Sequence, residues 1–227
     1  MDEKSQHLDT IRDIKKMMER SSRFISLSGL SGVAAGICAL IGAWFGYDVV
    51  HGSHGVEMRN NLLRLRERDG DISVAEYAGN SLLKIGLLTF AAAFVLAFIF
   101  TYIRSRKNHT PLWGTTARRL MINVCIPIVA GGIYLVALMK YGAFGLIAPG
   151  CLIFYGLALI NASKYTLIEI RYLGYGQLIL GIINLLYPGY GLYFWAFGFG
   201  ILHIVYGTVM WWKYERNSGD ESAVRGQ

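Results

Sequence analysis

Acidic side chains are nearly missing from the middle of this chain: between Tyr77 and Tyr214 the only carboxylate is Glu169. A surface facing water over that length would need many more. Of the 227 residues only 16% are charged and 54% are hydrophobic, whereas soluble domains carry about 25% charged residues. The shortage excludes a water-soluble domain across that stretch. Cysteine is equally scarce. Cys38, Cys125 and Cys151 lie within apolar runs, without zinc-type spacing or a partner in a loop, which excludes a disulfide framework and reads as small apolar core residues.

The groups that chemistry needs are also few. The last five apolar runs hold one carboxylate and one histidine, with no nucleophile beside a base, no Walker motif and no dinucleotide fingerprint. Catalysis requires several such groups close together, so the chain is expected not to be an enzyme and to hold no cofactor. The net charge of +7 does not point to nucleic acid either. Its basic residues stand at the ends of apolar runs, and no nucleic-acid motif is present. The lipid bilayer is the expected partner.

What is abundant is apolar helix. Crossing a hydrocarbon layer about 30 Å thick takes about 20 apolar residues. The runs 24–46, 81–103, 119–139, 144–163, 167–187 and 192–212 meet that length. The fold class predicted is therefore an all-α membrane bundle of about six spans. A charged segment precedes the first run, and Gly46-Tyr47-Asp48 is a poor cleavage site, so that run is read as a retained span and not a signal peptide. Ser73-Val74-Ala75-Glu76 is a capping-box pattern that starts the second helix near Val74. Thr166-Leu167-Ile168-Glu169 repeats the pattern and predicts a helix from Leu167, with Lys164 and Arg171 as charge partners for Glu169; Pro188-Gly189 then ends that helix. Pro127 and Pro149 fall within spans and are expected to kink them.

Lysine and arginine set the expected orientation. Sixteen lie in the N-terminal segment, the 104–119 and 164–171 connections and the C-terminal tail, and five in the other connections. Both termini are thus expected on the cytoplasmic side. Trp44, Tyr187, Tyr190, Tyr193 and Trp195 form an outer aromatic belt, and Tyr102, Trp113, Tyr165, Tyr172, Trp211 and Trp212 an inner one. Lys84, near the outer end of the second span, is expected to snorkel.

Outside the spans, residues 1–23 carry Leu8, Ile11, Ile14 and Met18 at helical spacing, a cytoplasmic amphipathic helix. Met58, Leu62 and Leu65 repeat the pattern in the 47–80 loop, and residues 213–227 form a polar cytoplasmic tail. Either amphipathic segment suits the lipid interface or a protein partner. His51, His54 and Glu57 offer metal-type donors in the same loop, but a glycine-rich, mobile setting with no supporting shell argues against a metal.

Within the spans, polar and small residues are the informative ones. Gly174, Gln177, Gly181 and Asn184 form a stripe on the fifth helix, and Ala196, Gly200, His203 and Gly207 another on the sixth. The turn at Pro188–Gly191 makes these helices antiparallel neighbours, so Gln177 and His203 fall at similar depth, with Tyr155 of the fourth helix near them. The trio reads first as interhelical hydrogen bonding; a ligand or ion cavity and a protonatable switch at His203 are the alternatives. On the first helix, Gly32 and Gly36, then Gly42 and Gly46, have the spacing that lets backbones approach closely, within the bundle or in a homo-oligomer.

A faint repeat pairs Gly132-Ile133 and Gly142 with Gly181-Ile182 and Gly191, and Tyr155-Gly156 with Tyr206-Gly207, as if spans three and four duplicated five and six. The segment Leu180-Gly181-Ile182-Ile183-Asn184-Leu185-Leu186-Tyr187-Pro188-Gly189 resembles the helix–turn pattern of HdeD-like acid-resistance membrane proteins. Glu19-Arg20-Ser21-Ser22-Arg23-Phe24 and Asn161-Ala162-Ser163-Lys164-Tyr165 resemble uncharacterised multi-pass proteins of bacterial inner membranes. The resemblance implies a bacterial inner-membrane location and no particular activity. The leading functional expectation is a non-catalytic scaffold, sensor or regulator of a partner; the alternative is a small-solute or ion transporter.

Overall fold

The computed structural model describes residues 29–52, 74–107 and 114–216. The N-terminal amphipathic segment, the 53–73 part of the loop with His54 and Glu57, Trp113 and the 217–227 tail lie outside them. Among the described residues the fold is helical throughout. In chain order these are α1 (Gly29–His51), α2 (Val74–Lys107), α3 (Thr115–Lys140), a 3-10 turn (Phe144–Leu146), α4 (Ile147–Ala162), α5 (Ile170–Leu186) and a second 3-10 turn (Pro188–Tyr190). The last helix, α6, runs through Gly191–Trp195, a π turn at Ala196–Leu202, His203–Trp211 and a second π stretch at Trp212–Arg216.

Among the described residues five helices are long and apolar enough to cross a membrane, and α5, with 17 residues, is shorter. Large apolar side chains cover the outside, among them Leu88, Phe94, Ile133 and Val136. In water such a surface would be far beyond what a monomer tolerates. This is a membrane protein. Lys84 is exposed on the outside of α2, as snorkelling requires.

Glycine decides how the helices meet. A Cβ on Gly207 would lie 2.5 Å from the Val33 nitrogen and 2.6 Å from the Gly29 carbonyl, so α1 and α6 touch backbone to backbone. Gly32 and Gly36 join that contact, against the Gly207 Cα and the Gly200 carbonyl. Gly42 faces Thr89 of α2, and Gly46 faces Leu82 and Leu192. Of the two readings of these four glycines, packing inside the bundle accounts for all of them. Gly156 and Gly174 make the same close contact between α4 and α5, each with its Cβ position 2.8–2.9 Å from the other's carbonyl. The packing order is α2–α1–α6, then α5 and α4, with α3 on the far side of α4.

Several expectations need correction. α5 begins at Ile170, not Leu167, and Glu169 stands at its N-cap without a capping side chain. Tertiary packing overrides the local signal here: Leu167 and Ile170 dock with Ala162 and Met210, and Glu169 turns toward α6. Pro149 occupies the first turn of α4, where its missing N–H has no helical partner to lose, so no kink is required. Pro127 does sit inside α3. Cys125 is exposed on α3, not in the core. The internal repeat is carried into packing only at Gly156 and Gly207, which each meet a neighbouring helix at backbone contact. Gly132 faces open space while Gly181 lies against Ile153, and Gly142 has φ +70° while Gly191 is right-handed helical at φ −50°.

Val74 is the first described residue of α2, and Ser73, the expected cap, lies outside the described residues. The expected belt residues Trp44, Tyr187, Tyr190, Tyr193, Tyr102, Tyr172 and Trp212 are exposed at the two ends of the helices.

Candidate functional site

Halfway along the helices, α4, α5 and α6 bring Tyr155, Gln177 and His203 together, as the sequence placed them. The Tyr155 hydroxyl lies 2.9 Å from His203 Nε2. His203 Nδ1 lies 3.1 Å from the carbonyl of Gly198, which also accepts a hydrogen bond from Gln177 Nε2 at 2.7 Å. One tautomer satisfies all of this. Nδ1 carries the proton and donates to Gly198, so Nε2 is the acceptor and the tyrosine donates to it. Gln177 Nε2 and His203 Nδ1 are then two donors sharing one carbonyl, and their 3.4 Å separation is not a bond between them.

The shared acceptor is what sequence reading missed. Gly198 lies in the π turn Ala196–Leu202. Such a turn widens the helix and changes the register of its carbonyls, which here leaves one available to two side chains. A Cβ at 198 would stand 2.5 Å from Leu152 Cδ2 and 2.6 Å from Gln177 Oε1, so a larger residue there must push aside two fully buried side chains. The glycine density of Ala196–Gly200 is the one signal in the sequence that points to this spot, and it does not distinguish a π turn from close packing. Gln177 and Leu152 are fully buried. Tyr155 and Phe199 flank the imidazole, with ring centres 5.5 and 6.1 Å from it.

The stripe on α5 is realised entire: Gly174, Gln177, Gly181 and Asn184 are all buried. Asn184 donates from Nδ2 to the Tyr187 carbonyl at 3.0 Å and so closes the end of the helix. The expected stripe on α6 divides. Gly200 and Gly207 face α1 while His203 faces α4 and α5.

A second polar group joins the 163–169 turn to the end of α6. Glu169 Oε1 accepts from Lys213 Nζ at 2.5 Å and from the Tyr214 hydroxyl at 2.7 Å. The partners expected from the sequence were Lys164 and Arg171, but Arg171 donates instead to Ser163. Neighbours in sequence lost to a neighbour in space. Burial works to raise the Glu169 carboxyl, yet the hydrogen bonds from Lys213 and Tyr214 outweigh it and hold the group below its usual range.

Other positions gather less. His51 ends α1 and stacks on Tyr47 at 4.6 Å. Among the described residues no group of three metal-type side chains converges. A cleft of about 230 Å³ is lined by Tyr134, Leu146, Gly150, Ile153, Phe154 and Leu185, away from the polar trio. Comparison with family models, curated proteins and solved structures yields no match.

Proposed function

We propose that this chain is a non-catalytic, multi-pass protein of a bacterial inner membrane that senses for or regulates a partner, with six crossings and both termini cytoplasmic. The observation that carries the reading is the closure of the central polar side chains on one another. Tyr155 donates to His203, and His203 and Gln177 both donate to the Gly198 carbonyl, in a place where unpaired polar groups are costly; of the trio's polar atoms Gln177 Oε1 is left without a partner. A carrier would instead turn these groups toward a connected polar cavity. The π turn beneath them, a geometry that recurs at functional sites, supports the sensing reading.

The six-crossing count is supported by packing. α5, rising about 26 Å at 1.5 Å per residue, is packed on α4 by Gly174 and Gly181, meets Leu202 of α6 at Gly176, and follows their depth. The excess of basic residues at the end shared by Arg104, Arg118, Lys164 and Lys213 supports a cytoplasmic assignment for that end.

The test pairs melting with in-cell complementation at neutral pH for His203→Leu and Gln177→Leu. Hydrogen bonds of this kind within membranes average about 0.6 kcal/mol. Both variants should melt slightly lower and still complement a strain lacking the protein. A pair that is stable yet inactive would favour the second reading, conduction of a small solute or ion through the trio.

A further inference from the structure

Two glycines shape one side of α4. A Cβ on Gly131 would stand 2.6 Å from Phe154 Cγ, so α3 closes on α4 there and brings the Tyr134 ring against Phe154, with ring centres 5.5 Å apart. Gly150, one turn before Phe154, contributes no side chain, and the cleft of about 230 Å³ lies over it, between Tyr134 of α3 and Leu185 of α5. Leu146 bounds the cleft toward the water. The 3-10 turn that carries Leu146 is fixed from two sides, by Phe144 against Gly79 of α2 and by Gly145, whose Cβ position is 3.4 Å from Pro188. The side walls Tyr134 and Leu185 are 47% and 44% exposed, so the cleft is entered sideways, from the hydrocarbon.

An apolar cavity of about 150 Å³ stays dry and takes up an apolar guest such as benzene. This one is larger, and apart from the Tyr134 hydroxyl its lining is apolar throughout. The guest at hand within a bilayer is an acyl chain. Two polar groups indicate what kind of molecule carries the chain. The first is the Tyr134 hydroxyl, which has no hydrogen-bond partner among the described residues. α3 has 26 residues and rises about 39 Å, roughly 9 Å more than a hydrocarbon core. With that excess shared between its ends, Tyr134 lies about 4–5 Å inside the edge of the core, beside the level of the glycerol esters. The second is Lys140, exposed at the end of α3 and without an ion pair among the described residues. No acid opposes a phosphate there, since the only carboxylate between Tyr77 and Tyr214 is Glu169, at the opposite end of the bundle.

We propose that this cleft is a phospholipid site in the leaflet at the Pro188 end. One acyl chain lies over Gly150 between Tyr134 and Leu185, the Tyr134 hydroxyl donates to an ester carbonyl, and Lys140 holds the phosphate. The site goes beyond the sensing reading and does not depend on it, because it uses none of Tyr155, Gln177 and His203.

The experiment is photolabelling of the full chain in phosphatidylethanolamine nanodiscs doped with a phosphatidylglycerol that carries a diazirine on one acyl chain, with adducts mapped by mass spectrometry. Label should gather on Ile153, Phe154 and Leu185 and exceed that on Leu88 and Phe94, which are exposed on α2 outside any cleft, several-fold. Leu185→Trp fills the cleft and should bring Phe154 down to the α2 level, whereas Ile133→Trp, on the open face of α3, should not. Tyr134→Phe keeps the ring and the packing, so it holds the test open should Leu185→Trp fold badly. It should raise the half-labelling dose roughly fivefold, the size of one hydrogen bond. Lys140→Gln should raise that dose for the phospholipid and leave it unchanged for a diacylglycerol bearing the same diazirine chain. Label no denser in the cleft than on α2, or a cleft shielded from lipid by a second copy of the chain, would overturn the site. A phospholipid and a diacylglycerol that label alike, or a dose indifferent to Tyr134→Phe, would overturn its assignment to a phospholipid.

Discussion

Replacing Gly207 with alanine tests the claim that α1 and α6 are held at backbone contact. The added methyl would lie 2.5 Å from the Val33 nitrogen, where ordinary contact begins at 3.4 Å. The difference, 0.9 Å, must come from moving one helix away from the other, because the atoms met are backbone and not the ends of flexible side chains. A radial gap of 0.5–1 Å already forfeits about a quarter to a half of a van der Waals well, and such overpacking costs about 1–3 kcal/mol. Against this stands the gain of about 0.5–1 kcal/mol from replacing glycine in a helix. The net loss should be on the order of 1–2 kcal/mol. Gly132→Ala provides the control, since a Cβ there meets nothing within 4 Å; it should be neutral or stabilising. The assay is thermal unfolding in nanodiscs followed by tryptophan fluorescence, with Trp211 and Trp212 reporting close to the contact. Equal melting of the two variants would refute the reasoning, for the glycine at 207 would then owe nothing to α1.

Two further outcomes are expected. The Glu169 carboxyl is held below its usual range by Lys213 and Tyr214, so its contribution is present above its unfolded value near 4.5 and lost as pH falls through the folded value. Because Lys213 is largely exposed, Glu169→Gln should cost no more than about 1 kcal/mol at neutral pH and flatten the acid limb of the melting curve. An unchanged acid limb would show that the pair is unimportant. For topology, cysteine-accessibility labelling should find positions near Ser53 reactive from outside the cell, and positions near His109 and Ser218 reactive only after permeabilisation. Opposite sides for His109 and Ser218 would exclude an even number of crossings.

The sequence by itself determined the class of the protein, because one carboxylate between Tyr77 and Tyr214 and repeated apolar runs leave no soluble alternative. It also placed Tyr155, Gln177 and His203 at one depth, since helical rise and a tight turn at Pro188 suffice to align two neighbouring helices. Helix ends that depend on distant partners were not legible. The capping pattern at Thr166–Glu169 is a strictly local signal, and it lost to Lys213 and Tyr214, which sit more than forty residues away. Only the tertiary structure decided which groove each glycine fills: Gly207 takes the backbone of α1, while Gly132, matched to Gly181 in sequence, faces outward. It alone placed the π turn as well. The Gly198 carbonyl is drawn into use by Gln177 on another helix, and a register set by a partner across the bundle leaves no periodicity in its own segment.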